Sequence, residues 1–202
     1  MNYLAIDTSG KNLTIIIKKG ENEHIYYDKD CGVNHSVELM PKVEKMCADN
    51  DFSLADADFF ACVIGPGSFT GIRIGVATVK AMCMAFNKPR IAITSFDTLA
   101  YNMSDGKILT IFDAKHNGFY VCGYQDKKVI LPPAYLMRED LEKLFSEYTV
   151  VSDNLVNGID LKVVSVSDGL AKAISQNLDK IAHDTDALTP LYVRKSQAEE
   201  GR

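Results

Sequence analysis

The sequence has neither a Cys-x-x-Cys nor a His-x-x-x-His pair: its five cysteines stand at 31, 47, 62, 83 and 122 and its four histidines at 24, 35, 116 and 183. Thiols that are odd in number and scattered read as reduced core residues of a cytosolic protein, not as a disulfide framework. Isolated histidines offer no zinc or iron site, so no metal and no cofactor is expected. Excess positive charge is missing too. The formal net charge is −5, whereas a protein that grips nucleic acid by itself shows a basic face, so any RNA role is expected to be indirect. The chain opens on a strand-like run, Met1 to Ile6, with no basic stretch, apolar segment or cleavage site before it. That pattern predicts a cytoplasmic protein with no membrane association.

What is present suits one or two compact lobes. Apolar residues make up 47% and charged residues 24% of 202 positions, a soluble globular balance. Short runs rich in Ile, Leu and Tyr at 3–7, 13–18 and 23–28, divided by Ser9-Gly10 and Lys19-Gly20-Glu21-Asn22, predict a three-stranded antiparallel meander. A helix over 35–48 follows, with Pro41 expected to kink it. Then come a buried strand at 58–64, a helix over 70–86, a strand at 90–94 and a helix opening at Ser95. Polar residues and Gly106 near 102–107 mark a boundary, giving lobes of 1–103 and 104–202. Beyond it the pattern restarts, with strands at 107–113, 118–125 and 128–132, a helix over 138–145, a strand at 149–152 and a helix over 168–177. Asp113 ends a strand much as Asp7 does, which suggests duplicated lobes of strand meander backed by helices.

Two segments could carry chemistry. Asp7-Thr8-Ser9 lies on a turn between strands, where a carboxylate and free amides could hold a metal-bound phosphate; an Asx turn closing a hairpin accounts for it equally simply. The loop Gly65-Pro66-Gly67-Ser68-Phe69-Thr70-Gly71 leads from strand to helix, a natural anion site. It lacks a Gly-Lys-Ser/Thr ending, and its glycine spacing is one residue too long for a dinucleotide fingerprint. Taken alone, it reads as a turn in which Thr70 caps the helix. Asp7, Ser9, Gly65 and Gly67 are thus the candidate nucleotide-binding residues, and no residue is assigned a catalytic role.

The helix over 70–86 carries only Arg73 and Lys80 as charges, so apolar residues occupy nearly every face. Ile72, Val76, Val79, Cys83 and Phe86 can meet a sheet, leaving a second stripe that includes Gly71, Gly75, Thr78 and Met82. The segment is too short and glycine-rich to span a bilayer. The helix over 35–48 likewise has a second set, Val37, Met40 and Cys47. These seven residues form either an exposed two-helix interface or part of a larger buried core.

Ile6-Asp7-Thr8-Ser9, the stretch Gly65 to Gly75 and Thr94-Ser95-Phe96 together closely resemble the TsaB (YeaZ) family. The likeness extends to Phe112-Asp113-Ala114-Lys115, Gly118-Phe119-Tyr120-Val121 and Pro190-Leu191-Tyr192-Val193-Arg194, almost the whole chain. The resemblance implies an α/β fold of the ASKHA class, actin-like and ribonuclease H-like, with two duplicated lobes of mixed sheet backed by helices. It further implies a non-catalytic scaffold that partners TsaD, with TsaE, in moving a threonylcarbamoyl group to N6 of adenosine 37 in tRNAs reading ANN codons. The chain would pair with itself when TsaD is absent and would meet tRNA only through the complex. TsaD-like enzymes hold a metal with a His-x-x-x-His pair where this sequence has Ser95 and Leu99, so the resemblance implies a pseudoenzyme. The competing expectation is a small ASKHA phosphotransferase or nucleotide hydrolase built on Asp7 and the glycine loop.

Overall fold

The computed structural model describes residues 1–194, Val33 by its backbone only. Alternating apolar runs give strands β1 (Tyr3–Asp7), β2 (Leu13–Lys19) and β3 (Asn22–Asp28), then helix α1 (His35–Asp49), strand β4 (Phe59–Val63), helix α2 (Phe69–Phe86), strand β5 (Arg90–Ile93) and helix α3 (Ser95–Ala100). The sheet order is β3-β2-β1-β4-β5, with β1 antiparallel to β2, β2 antiparallel to β3, and β1, β4 and β5 parallel. Central β1 and β4 are buried at every position, as parallel strands covered on both faces must be. Edge strand β3 is mostly exposed. Leu4, Ile6, Leu13, Ile15 and Ile17 from the strands interlock with Leu39 and Val43 of α1 and Ile72, Val76 and Val79 of α2 in one core. Helix α1 runs through Pro41 to Asp49, although proline donates no amide to the Val37 carbonyl.

The second half repeats the plan: β6 (Lys107–Asp113), β7 (Gly118–Gln125), β8 (Lys128–Met137), α4 (Arg138–Glu142), β9 (Thr149–Ser152), β10 (Lys162–Val163) and α5 (Val166–Ser175). Its sheet order, β8-β7-β6-β9-β10, matches the first strand for strand, a meander followed by two parallel strands. The turns agree as well. Ser9 N–H donates to Asp7 Oδ1 at 2.8 Å, and Lys115 N–H donates to Asp113 Oδ1 at 2.8 Å. Two repeats of this five-stranded mixed sheet backed by helices make an ASKHA fold.

Contacts divide the chain into one unit of Met1–Ser95 with Ala173–Pro190, and another of Phe96–Lys172 joined by residues 191–194. This division lies at the first residue of α3, whereas the sequence pattern sets a boundary at residue 103, and the chain returns to the first unit at Ala173, within the last turn of α5; residues 195–202 of the expected second lobe lie outside the described residues. Strand β8 extends past Pro132 and Pro133 to Met137, which it can do because β8 is the sheet edge, where a missing amide costs no ladder bond. Helix α4 stops at Glu142, short of the expected 145, and α5 opens at Val166, not at 168. Helix α2 begins at Phe69, with Ser68 as its cap in place of Thr70. By length and composition α2 could cross a membrane, contrary to the expectation from its glycines, but Ile72, Val76, Val79, Met82 and Cys83 are committed to the core.

In the second unit, α5 meets α3 at Gly169. A Cβ there would overlap the Thr98 carbonyl oxygen and crowd Asn102 Nδ2, whose amide bridges Thr98 O at 2.9 Å and Ser165 O at 2.8 Å. Gly169→Ala is expected to destabilise the chain by about 2 kcal/mol, the scale of an overpacked contact. A urea melt checks this: the midpoint should fall with its slope unchanged, and an unmoved midpoint would show that the α3–α5 contact yields freely.

Candidate functional site

The residues singled out around Asp7 and the glycine loop converge on one junction in the first unit. Strand β1 ends on Asp7, 4% exposed, and the chain turns through buried Thr8 and Ser9. Their polar groups are engaged. Asp7 Oδ1 accepts from the Ser9 amide, Ser9 O accepts from the Ser68 amide at 2.6 Å, and Thr8 Oγ1 donates to the Gly71 carbonyl at 2.7 Å. Gly65 O accepts from the Ser95 amide at 2.8 Å, and Ser95 Oγ donates to Ser9 Oγ at 3.1 Å. Gly65 sits at φ 105°, a conformation that suits only glycine.

The close-approach glycines face the chain itself. A Cβ at Gly67 would overlap Ser9 O, one at Gly71 would overlap Thr8 O, and one at Gly75 would come 2.6 Å from Thr8 Oγ1 and 3.5 Å from Cys62 Sγ. The loop resembling an anion cradle is therefore packed by the β1 turn. Its Ser68 amide is spent on Ser9, and its Gly71 amide donates to the Ser68 hydroxyl at 3.1 Å. The four candidate nucleotide-binding residues are brought together as a knot between β1 and α2. Neither Ser95, 2% exposed and tied to Ser9, nor Leu99, fully buried, brings an imidazole to α3. Among the described residues no three His, Cys, Asp or Glu side chains gather as a metal site. His35 is buried, with Nε2 3.1 Å from the Asn12 carbonyl.

The second apolar stripe of α2 requires correction. Gly71, Gly75 and Met82 are buried in the first unit, Thr78 is partly open, and Ala85, the last residue of that stripe, is exposed. The small side chains at 71 and 75 admit the Thr8 turn, so they are not free for a partner helix. The exposed stripe lies beside it at Thr70, Arg73, Ala77, Ala81 and Met84, the last 74% exposed, with the Arg73 guanidinium 3.8 Å from the Phe69 ring centroid. Helical period alone yields both stripes. What decided between them was the Thr8 contact, a long-range feature without a local signal. On α1, Val37 (69%) and Met40 (40%) are exposed, while Cys47 packs at the core rim. Helices α1 and α2 touch.

The cysteines are free. Burial pushes the Cys83 thiol up to about 11 and Cys122 up to about 12, and burial together with the Asp7 charge raises Cys62 further. Since the thiolate is the reactive form, iodoacetamide at pH 8 is expected to label half-buried Cys47 first and Cys62, Cys83 and Cys122 only on unfolding. Mass mapping checks it; early modification of Cys122 in folded protein would contradict the packing of its sheet.

Comparison with known proteins agrees with this architecture. The family model for TsaD, tRNA N6-adenosine threonylcarbamoyltransferase, matches residues 29–185. The tRNA threonylcarbamoyladenosine biosynthesis protein TsaB of Bacillus subtilis is 31% identical over 98% of this chain and 96% of its own length. That of Escherichia coli is 25% identical over 75% of this chain and 71% of its own. Among solved structures, YeaZ from Pseudomonas aeruginosa superposes with a TM-score of 0.77 at 19% identity, covering 95% of this chain and 99% of that one. The near-complete match to the Bacillus protein, together with the shared fold, shows that this chain belongs to the TsaB (YeaZ) family.

Proposed function

We propose that the chain acts in tRNA threonylcarbamoyladenosine biosynthesis as a non-catalytic partner of a TsaD protein, in a complex completed by TsaE. The observation that carries the reading is the pair of touching helices with exposed apolar side chains, Val37 and Met40 on α1 and Ala77, Ala81 and Met84 on α2. Exposed apolar side chains on two touching helices suit a protein-binding face. Names support the same direction: the relatives are biosynthesis proteins, and the matching family model is that of the transferase. The scaffold role is supported by the junction at Asp7, whose loop glycines are filled by the chain's own carbonyls. That packing speaks against the competing phosphotransferase, which needs the loop amides for phosphate. When TsaD is absent, the same two-helix face pairs two copies of this chain, so the two associations compete. The protein works in the cytoplasm and reaches tRNA through the complex.

Co-expression with TsaD followed by size-exclusion chromatography tests the pairing. The expected result is a one-to-one complex that replaces a homodimer, with no steady ATP turnover by the chain alone. Separate elution of the two proteins, or multiple turnovers of ATP by the chain alone, would overturn the proposal.

A further inference from the structure

The segment between α5 and residue 190 has no regular structure beyond one short 3-10 turn, yet it is tied to the first unit along its length. Ala182 exchanges both backbone hydrogen bonds with Arg90 on β5, each 2.9 Å. Arg90 Nε donates to Asp184 O at 3.0 Å, and Lys80 Nζ, from α2, reaches Asp186 O at 3.4 Å. Asp184 Oδ1 accepts from the Asp186 and Ala187 amides at 3.0 and 3.3 Å, closing a turn that delivers Leu188 inward. Leu188 is fully buried in the core that holds Val76, Val79, Met82 and Cys83 of α2.

Resting on the reading of the α1–α2 face given above, we propose that residues 181–188 form a strap that holds the second half of α2 in register and so sets the geometry of the docking face. The strap is a positioning element. Lys80 is one turn from Ala77 and from Met84 on α2, so the carbonyl that holds Lys80 borders the exposed stripe. Leu188 enters the core from outside the helix. Together they oppose fraying of the helix end, adding to the cap there, in which the Asn87 and Lys88 amides both donate to Cys83 O. A face that binds only when the helix is ordered loses affinity by the fraction of time it is not. Strap loss should thus weaken docking without altering any residue that touches the partner.

The test uses full-length chain and purified TsaD, with variants Leu188→Ala, Leu188→Met and Lys80→Met beside Met84→Glu. Hydrogen exchange of amides 79–86 is expected to quicken by roughly tenfold or more in Leu188→Ala, with the β6–β7 amides unchanged. With the helix end frayed most of the time in Leu188→Ala, TsaD affinity should fall about threefold or more, and Leu188→Met should restore both. Lys80→Met should show the same local acceleration more weakly, and it keeps the question open to test if Leu188→Ala does not fold. Global acceleration in Leu188→Ala with none at 79–86 in Lys80→Met would reduce the segment to ordinary core packing and overturn the proposal. So would unchanged exchange and affinity in Leu188→Ala while Met84→Glu abolishes binding. Should Met84→Glu bind TsaD normally, the docking reading fails first, and the strap with it.

Discussion

Gly71→Ala is expected to be among the most damaging single-methyl changes in the first unit. The added carbon would overlap the Thr8 carbonyl oxygen and approach Ser68 Cβ, while Thr8 Oγ1 already donates to the Gly71 carbonyl at 2.7 Å. Neither neighbour can swing aside. Thr8 is held in the buried turn after β1, and Ser68 caps α2 by accepting from the Gly71 amide. Relief needs α2 to lift from β1, which opens the contact of Ile72 and Val76 with Ile6 and Cys62 in the shared core. Overpacking of this kind costs about 3 kcal/mol, and for a chain of this size that corresponds to a melting temperature lower by roughly 6 to 12 °C. Thermal unfolding followed by circular dichroism reads it directly. A melting temperature within a degree or two of the parent would show that the β1 turn is looser than its hydrogen bonds imply.

Met84→Glu should do the opposite, leaving the fold intact and removing the partner. Met84 is 74% exposed on α2, so a carboxylate there stays hydrated in the free chain and costs little. Once covered by an apolar partner surface, the charge loses its water without gaining a counter-ion. A penalty of about 3 kcal/mol weakens association on the order of a hundredfold. Val37→Glu, at 69% exposure on α1, should behave alike if both helices share the interface. Titration calorimetry with TsaD, and light scattering of the chain alone, should show both associations weakened. Undiminished TsaD binding by a folded Met84→Glu protein would put the interface on another surface.

The contrast between these two positions shows how far the sequence could be read. Strands β1, β2, β4 and β6 announce themselves because buried apolar runs leave a strong pattern within five to seven residues. Strand β10, two residues long, has too little length to show any period. The strap is illegible for a different reason: Ala182 and Leu188 are placed by partners on β5 and on α2, about 90 to 110 positions earlier in the chain, and nothing local marks them. At Gly71 and Gly75 the residue type was informative but its meaning was open. Small residues four apart signal that something comes close, and only the register of α2 on β1 decides that it is Thr8 and not another protein. The candidate site was legible as a set of segments, since Asp7, Ser9, Gly65 and Gly67 do meet. That the meeting fills the loop is a property of the packing alone.

Asp7 supplies the most direct measurement. Asp7→Asn keeps an oxygen at the Oδ1 position to accept from the Ser9 amide, so the turn survives, but it removes the charge that a metal-bound phosphate would require. Threonylcarbamoyl transfer to tRNA, reconstituted with TsaD, TsaE and either parent or Asp7→Asn chain, therefore separates a scaffold from a phosphotransferase. A scaffold gives equal modified tRNA with both chains and none without TsaD. Collapse of transfer in a folded, TsaD-bound Asp7→Asn chain would contradict the non-catalytic role.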